Sequence, residues 1–211
     1  MKDSIEVKMD DNRRFWDRSA RFYTAVQERL NGAVYRRAIE IIRPWLGRDD
    51  EVVELACGTG QFTVALSIGV KSWLATDYSQ PMVNRATRRL DGLRNVITKV
   101  LDATDIGLPD NSVDVVFIAN ALHIVPYPVK VLGEIHRVLK HDGILIAPTF
   151  IKVPRESALM KLYGLSGFRV FSAWNKEEFE AQIASAGFYI KHLEIVTGRF
   201  LPECVIIASK A

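Results

Sequence analysis

The sequence predicts an α/β fold. It is a Rossmann-like, doubly wound, mostly parallel sheet of seven strands with helices on both faces and an antiparallel hairpin at its C-terminal end. Three observations predict it. Between about residues 50 and 150, short apolar runs that read as buried strands alternate with segments of helical period. Strand–helix–strand connections of that kind build parallel sheets. Finally, the β-rich runs at 188–196 and 204–209 are joined by only seven residues, 197–203. No helix fits there, so the two runs pair antiparallel and the sheet becomes mixed.

The elements follow in order. The region up to Leu46 reads as two helices. The first carries Phe15, Phe22 and Val26 among interleaved arginines, and the second has Val34, Ala38, Ile41 and Ile42 on one face. Gly32 is expected to separate them and Pro44 to mark the end of the second. Residues 51–56 (EVVELA) form a buried strand ending at Gly58, and 61–68 read as a helix. A second strand spans 72–77. The next helix opens with Pro81 in its first turn and is stopped by Asp91-Gly92. Strands are expected at 96–101 and 113–119. Pro128 opens a helix with Val131, Leu132, Ile135, Val138 and Leu139 in one stripe. His141-Asp142-Gly143 should turn the chain into a fifth strand at 144–150. Asn175, with Glu178 three residues on, caps a helix that buries Phe179, Ile183 and Ala186 and stops at Gly187.

Composition narrows the function. The 211 residues are 48% hydrophobic and 25% charged, the balance of a chain that builds its own core. A net charge of +3 is too small to imply nucleic acid. Cys57 and Cys204 cannot make a disulfide framework or a four-cysteine zinc site, and the four histidines lack metal-ligand spacing. No run approaches the roughly 18 apolar residues of a membrane span, and the first thirty residues lack the apolar core of a signal peptide. A cytoplasmic protein is expected, and nothing in the sequence sets its oligomeric state.

In an open parallel sheet, ligands bind at the carboxyl ends of the strands. Here those ends read Glu54-Leu55-Ala56-Cys57-Gly58-Thr59-Gly60, Asp77, Asp102 and Asn120-Ala121-Leu122-His123. The two glycines allow a tight turn and close approach of a ligand to the backbone. A dinucleotide site wants a third small residue, but Thr63 stands there and no phosphate-binding cation lies nearby. A ligand with ribose and adenine but no phosphate suits the acidic set better. Asp77 can accept ribose hydroxyls, Asp102 can face the adenine amino group, and Glu54 can meet an ammonium group.

Those residues carry a resemblance. Residues 52–60 (VVELACGTG), 75–82 (ATDYSQPM), 101–113 (LDATDIGLPDNSV) and 134–144 (EIHRVLKHDGI) resemble, in order and spacing, four motifs of class I S-adenosylmethionine-dependent methyltransferases. The likeness is to the broad small-molecule branch that includes quinone-biosynthesis enzymes. It implies S-adenosylmethionine as cofactor and a small, apolar or aromatic acceptor, with no nucleic-acid partner. Non-catalytic binding of the cofactor, and methylation of protein or RNA, are the rival readings. The resemblance also implies roles. Glu54 and the loop of Ala56, Cys57, Gly58, Thr59 and Gly60 would hold the methionine portion. Asp77 would bind ribose, with Tyr78 and Met82 lining the adenosine pocket and Asp102 and Ala103 recognising adenine. Asn120 would lie near the sulfonium. Residues 1–46 are expected to form a helical lid, with Trp16 or Tyr23 facing the cofactor, over a methyltransferase domain at 47–211. Within it, 151–174 is a candidate lid or substrate wall.

Each residue also has a plainer reading. Asp77 can cap a helix, Asp102 can be solvated, and Cys57 can be a small buried hydrophobe. His123, just past the fourth strand, is the candidate general base, because an ordinary imidazole titrates near neutrality.

Overall fold

The computed structural model describes residues 17, 31–152, 171–198 and 202–211. Within them the seven strands are β1 (Glu51–Leu55), β2 (Ser72–Asp77), β3 (Val96–Val100), β4 (Val113–Ile118), β5 (Leu139–Phe150), β6 (Phe188–Val196) and β7 (Glu203–Lys210). They form one sheet in the order β3-β2-β1-β4-β5-β7-β6. β1 through β5 pair in parallel, and β7 lies antiparallel between β5 and β6. The order reverses between β1 and β4, which places the cleft at their carboxyl ends.

The helices are α1 (31–42), α2 (Gln61–Leu66), α3 (Gln80–Arg89), α4 (Pro128–Val138) and α5 (Lys176–Ser185). Each presents its apolar stripe to the sheet. On one face, Ile42 of α1, Phe62 and Leu66 of α2 and Ala86 of α3 meet Val52, Trp73, Phe117 and Ile207. On the other, Leu132 and Ile135 of α4 and Phe179 and Ile183 of α5 meet Leu55, Ile118, Ala147 and Ile206. Burying one such Leu, Ile or Phe contributes roughly 1.5–3 kcal/mol, so both faces of the sheet stabilise the fold. Phe117 is central to the first face, its ring 5.2 Å from Phe62 and 5.9 Å from Trp73.

Two expectations are corrected. Gly32 lies inside α1 and does not precede it. The buried side chains of Val34, Tyr35 and Ala38 hold the helix to the sheet, which outweighs the roughly 1 kcal/mol that glycine costs in a helix. The fifth strand begins at Leu139, not at 144, because Leu139 already pairs with Val113. His141-Asp142-Gly143 is a bulge within β5, after which Ile144 pairs with Val115. β2 and β6 have the expected bounds, and other boundaries move by one or two residues. Asn175 and Glu178 do form a reciprocal capping box on α5.

Candidate functional site

The cleft opens where β1 turns into α2. The loop leaves Leu55 through Ala56 at φ 55°, Gly58 at 56° and Gly60 at 77°, all left-handed. A Cβ on Gly60 would also lie 3.0 Å from the Leu90 side chain, so this position requires glycine on two grounds. Hydrogen bonds fix the loop to the neighbouring strand: Cys57 N–H donates to Thr76 O at 2.8 Å, and Gly58 N–H to Asp77 Oδ2 at 2.8 Å.

Asp77 ties two turns together. Its Oδ1 accepts Ser79 N–H at 2.8 Å while Oδ2 holds Gly58. Burial pushes the carboxyl up to about 6, against the backbone hydrogen bonds, which favour the ionised form. Ser79 accepts Met82 N–H to cap α3, and its hydroxyl donates to Asp17 Oδ1 at 2.6 Å. Asp17 thus lies at the cleft rim. Trp16 and Tyr23 lie outside the described residues.

At the end of β3, Asp102 Oδ1 accepts Thr104 N–H at 2.8 Å, forming an Asx turn. At the end of β4, Asn120 is left-handed with φ 52°. Its N–H donates to Pro148 O, its Oδ1 accepts Phe150 N–H at 3.0 Å, and its Nδ2 donates to Glu203 Oε1 at 2.6 Å.

Of the residues singled out in the sequence, Ala56, Gly58, Asp77, Tyr78, Met82, Asp102, Ala103 and Asn120 line one cleft. The cleft is open to solvent at its mouth. Cys57, Thr59 and Gly60 shape the loop without lining the cleft, and Cys57 is buried with its thiol pushed far up.

Glu54 points away from the cleft into the packed face. Its Oε2 accepts Thr63 Oγ1 at 2.5 Å and Trp73 Nε1 at 2.7 Å, and burial raises it to about 7. Thr63, read in the sequence as the residue that breaks a dinucleotide motif, is thus the partner that locks α2 to β1. His123 is also behind the wall. It is buried, its Nδ1 has no hydrogen-bond partner, and burial lowers it to about 4. An imidazole so placed is a poor general base at neutral pH. Its backbone carbonyl accepts the N–H groups of Phe171 and Ser172 at 2.9 and 3.0 Å.

Sequence reasoning missed Ile124, Val125 and Pro126, which make an apolar wall together with Phe171. Phe171 belongs to the aromatic segment suspected as a substrate wall, but 153–170 lie outside the described residues. Reasoning also missed Glu203, which no local pattern distinguishes from a surface acid at a strand start.

The lining holds two carboxylates, from Asp77 and Asp102, and among the described residues no lysine, arginine or histidine. This charge set fits a ligand that carries positive charge and no phosphate. S-adenosylmethionine, a sulfonium with ribose and adenine, meets that description. Nicotinamide dinucleotides, with their pyrophosphate, do not.

Comparison with known proteins agrees. Residues 53–147 match the family described as "Methyltransferase domain". A demethylmenaquinone methyltransferase of Clavibacter sepedonicus is 36% identical over 105 residues, covering 50% of this chain and 43% of the relative. Another, of Staphylococcus epidermidis, is 30% identical over 141 residues, covering 63% and 58%. The chain therefore spans about half the length of these relatives. The fold superposes on a chain from the complex of the Haloferax volcanii Trm112 methyltransferase activator with a putative methyltransferase. The TM-score is 0.79 at 19% identity, covering 94% of this chain and 96% of that one. It also superposes on the [4+2]-cyclase SpnF, with a TM-score of 0.71 at 20% identity, covering 85% and 81%.

Proposed function

We propose, from the premise that residues 53–147 form a methyltransferase domain within a class I methyltransferase fold, that this protein transfers a methyl group from S-adenosylmethionine to a small apolar or aromatic acceptor. The observation that carries the reading is the acidic, cation-free lining at the carboxyl ends of β1 to β4.

S-adenosylmethionine supplies an electrophilic methyl on a sulfonium, so that in-line displacement by the acceptor leaves S-adenosylhomocysteine. The chain's own residues bind, orient and exclude water. Asp77 has lone pairs left after holding Gly58 and Ser79, and these accept the ribose hydroxyls. Asp102, Ala103 and Met82 form the adenine end. The loop from Ala56 to Gly60 brings its backbone against the methionine portion, and Asn120 closes the cleft near the sulfonium. Glu54 belongs to the support of that loop, through Thr63 and Trp73, rather than to direct contact.

The acceptor class rests on Ile124, Val125, Pro126 and Phe171, which give one side of the cleft an apolar wall. The acceptor in the name of the relatives, demethylmenaquinone, points the same way. A lid role falls to the chain before α1, supported by the Asp17–Ser79 hydrogen bond at the rim, while α1 itself is packed into the core on one face of the sheet. His123 serves as an anchor for residues 171–172, and no protein base is assigned. Among the described residues no helix is long and apolar enough to cross a membrane. The two free, buried cysteines are compatible with a reducing cytosol.

A fold shared with a cyclase does not by itself fix the reaction, so binding and turnover need separate tests. Calorimetry should show S-adenosylhomocysteine binding more tightly than any nicotinamide dinucleotide. Tighter binding of the dinucleotide would remove the reading. Labelled methyl should then pass from S-adenosylmethionine to a component of an apolar metabolite extract. Binding without transfer to any small molecule, peptide or RNA would leave a binding module.

A further inference from the structure

We propose that Glu203 is a positioning residue of the cleft: it holds Asn120 in the left-handed turn that forms the cleft wall, and so sets the cleft's affinity for its ligand. This rests on the reading of the cleft as an S-adenosylmethionine site.

Glu203 opens β7, opposite Phe150 on one side and Val196 on the other. It is 1% exposed. The five residues after it, Cys204 to Ala208, are apolar and fully buried, so an apolar side chain is what this environment would ordinarily take. A carboxyl here is unfavourable. Its Oε2 is buried with no hydrogen-bond partner, and burial raises the group to about 7. Replacing such a group by a well-packed apolar residue is often neutral or stabilising. Stability therefore does not explain its presence.

Its side chain's one hydrogen bond among the described residues does. Glu203 Oε1 accepts Asn120 Nδ2 at 2.6 Å. Asn120 is one of only three non-glycine residues with positive φ among the described residues, and it lies between Ala119 and Ala121, all three lining the cleft. A backbone in that region persists when its surroundings over-determine it. Phe150 N–H fixes the amide's oxygen and Glu203 fixes its nitrogen. The pair therefore decides which way the amide faces, and with it the path of the chain through the wall.

Binding of S-adenosylhomocysteine is to be measured by calorimetry for wild type, Glu203→Ala, Glu203→Gln, Asn120→Gly and the Glu203→Ala/Asn120→Gly double variant. Glu203→Ala should weaken binding about tenfold. Glu203→Gln, whose Oε1 can still accept from Asn120, should restore it to within about threefold of wild type. Glycine takes the left-handed turn unaided, so in the Asn120→Gly background Glu203→Ala should have no further effect. Glu203→Ala also opens a cavity and leaves Asn120 Nδ2 unpaired, so it should melt earlier than wild type. Binding measured well below its Tm, with circular dichroism showing the native fold, separates positioning from loss of fold. Hydrogen exchange at the Phe150 amide, read without ligand, should speed up in Glu203→Ala and return in Glu203→Gln. Wild-type binding with unchanged affinity in Glu203→Ala, or an equal loss in the Asn120→Gly background, would overturn the proposal. If wild type fails to bind, the cofactor reading falls, and the exchange measurement alone still decides whether Glu203 holds the turn.

Discussion

At Asp77 both carboxylate oxygens already accept backbone N–H groups. An asparagine there must turn its NH2 toward one of those donors, so even the near-isosteric change disturbs the loop. Asp77→Asn should weaken S-adenosylhomocysteine by about 10- to 100-fold, close to Asp77→Ala, as a titration by calorimetry would reveal. Ala56 poses the opposite case. Its φ of 55° costs an alanine roughly 1–2 kcal/mol, and Ala56→Gly should leave stability unchanged or raise it by up to about 1 kcal/mol in urea unfolding. Glu203 carries a pH signature. Its carboxyl is raised to about 7 by burial, so the folded state holds that proton more tightly than the unfolded chain does. The associated stability is complete below about pH 4.5 and is lost as pH rises through about 7. Glu203→Gln removes this dependence, and its stability relative to wild type should climb by on the order of 2–3 kcal/mol between pH 4.5 and 8. A flat difference between the two urea curves across that range would contradict the assignment. The acids at strand ends were legible because each follows a short apolar run that reads as a strand. Glu203 was not, since only the β5–β7 register brings it to Asn120.

Among the elements, α5 shows what local chemistry can specify. Asn175 Oδ1 accepts Glu178 N–H at 2.8 Å and Glu178 Oε2 accepts Asn175 N–H at 2.8 Å. The sequence announces that box, and the structure contains it. Asn175→Ala should lower stability by about 1 kcal/mol, and a Tm shift of roughly 2–4 °C in a thermal melt checks it. The α4 stripe was equally readable, with Val131, Leu132, Ile135 and Val138 fully buried, although Leu139, expected to continue it, opens β5. Where the reading failed, local signals met tertiary forces. Gly32 looks like a breaker but is carried inside α1 by the packing that follows it. His141-Asp142-Gly143 has the residues of a turn, and a turn-like bulge is what they make. Its place inside a strand follows from the pairing of Leu139 with Val113. No property of the three residues themselves reveals that.

For the whole molecule, the two packed faces share the strands of one sheet, so neither can be lost without exposing the other. Unfolding should be a single transition, with tryptophan fluorescence and far-ultraviolet circular dichroism giving coincident curves. Ligand bound across the ends of β1 to β4 bridges that same unit. Free S-adenosylhomocysteine at about 100 times its Kd should add roughly 2.7 kcal/mol to the unfolding free energy. A ligand-dependent shift in only one of the two signals would point to separate folding units. The position of β7 has a further consequence, for synthesis. β5 and β6 leave the ribosome before the strand that joins them, and each then carries an open hydrogen-bonding edge. Until β7 inserts, the nascent chain has both the Asn120 turn and an empty slot beside it. The growing polypeptide should therefore be sensitive to proteases and chaperone capture until that late insertion. The cleft wall would mature at the same step that seals the sheet.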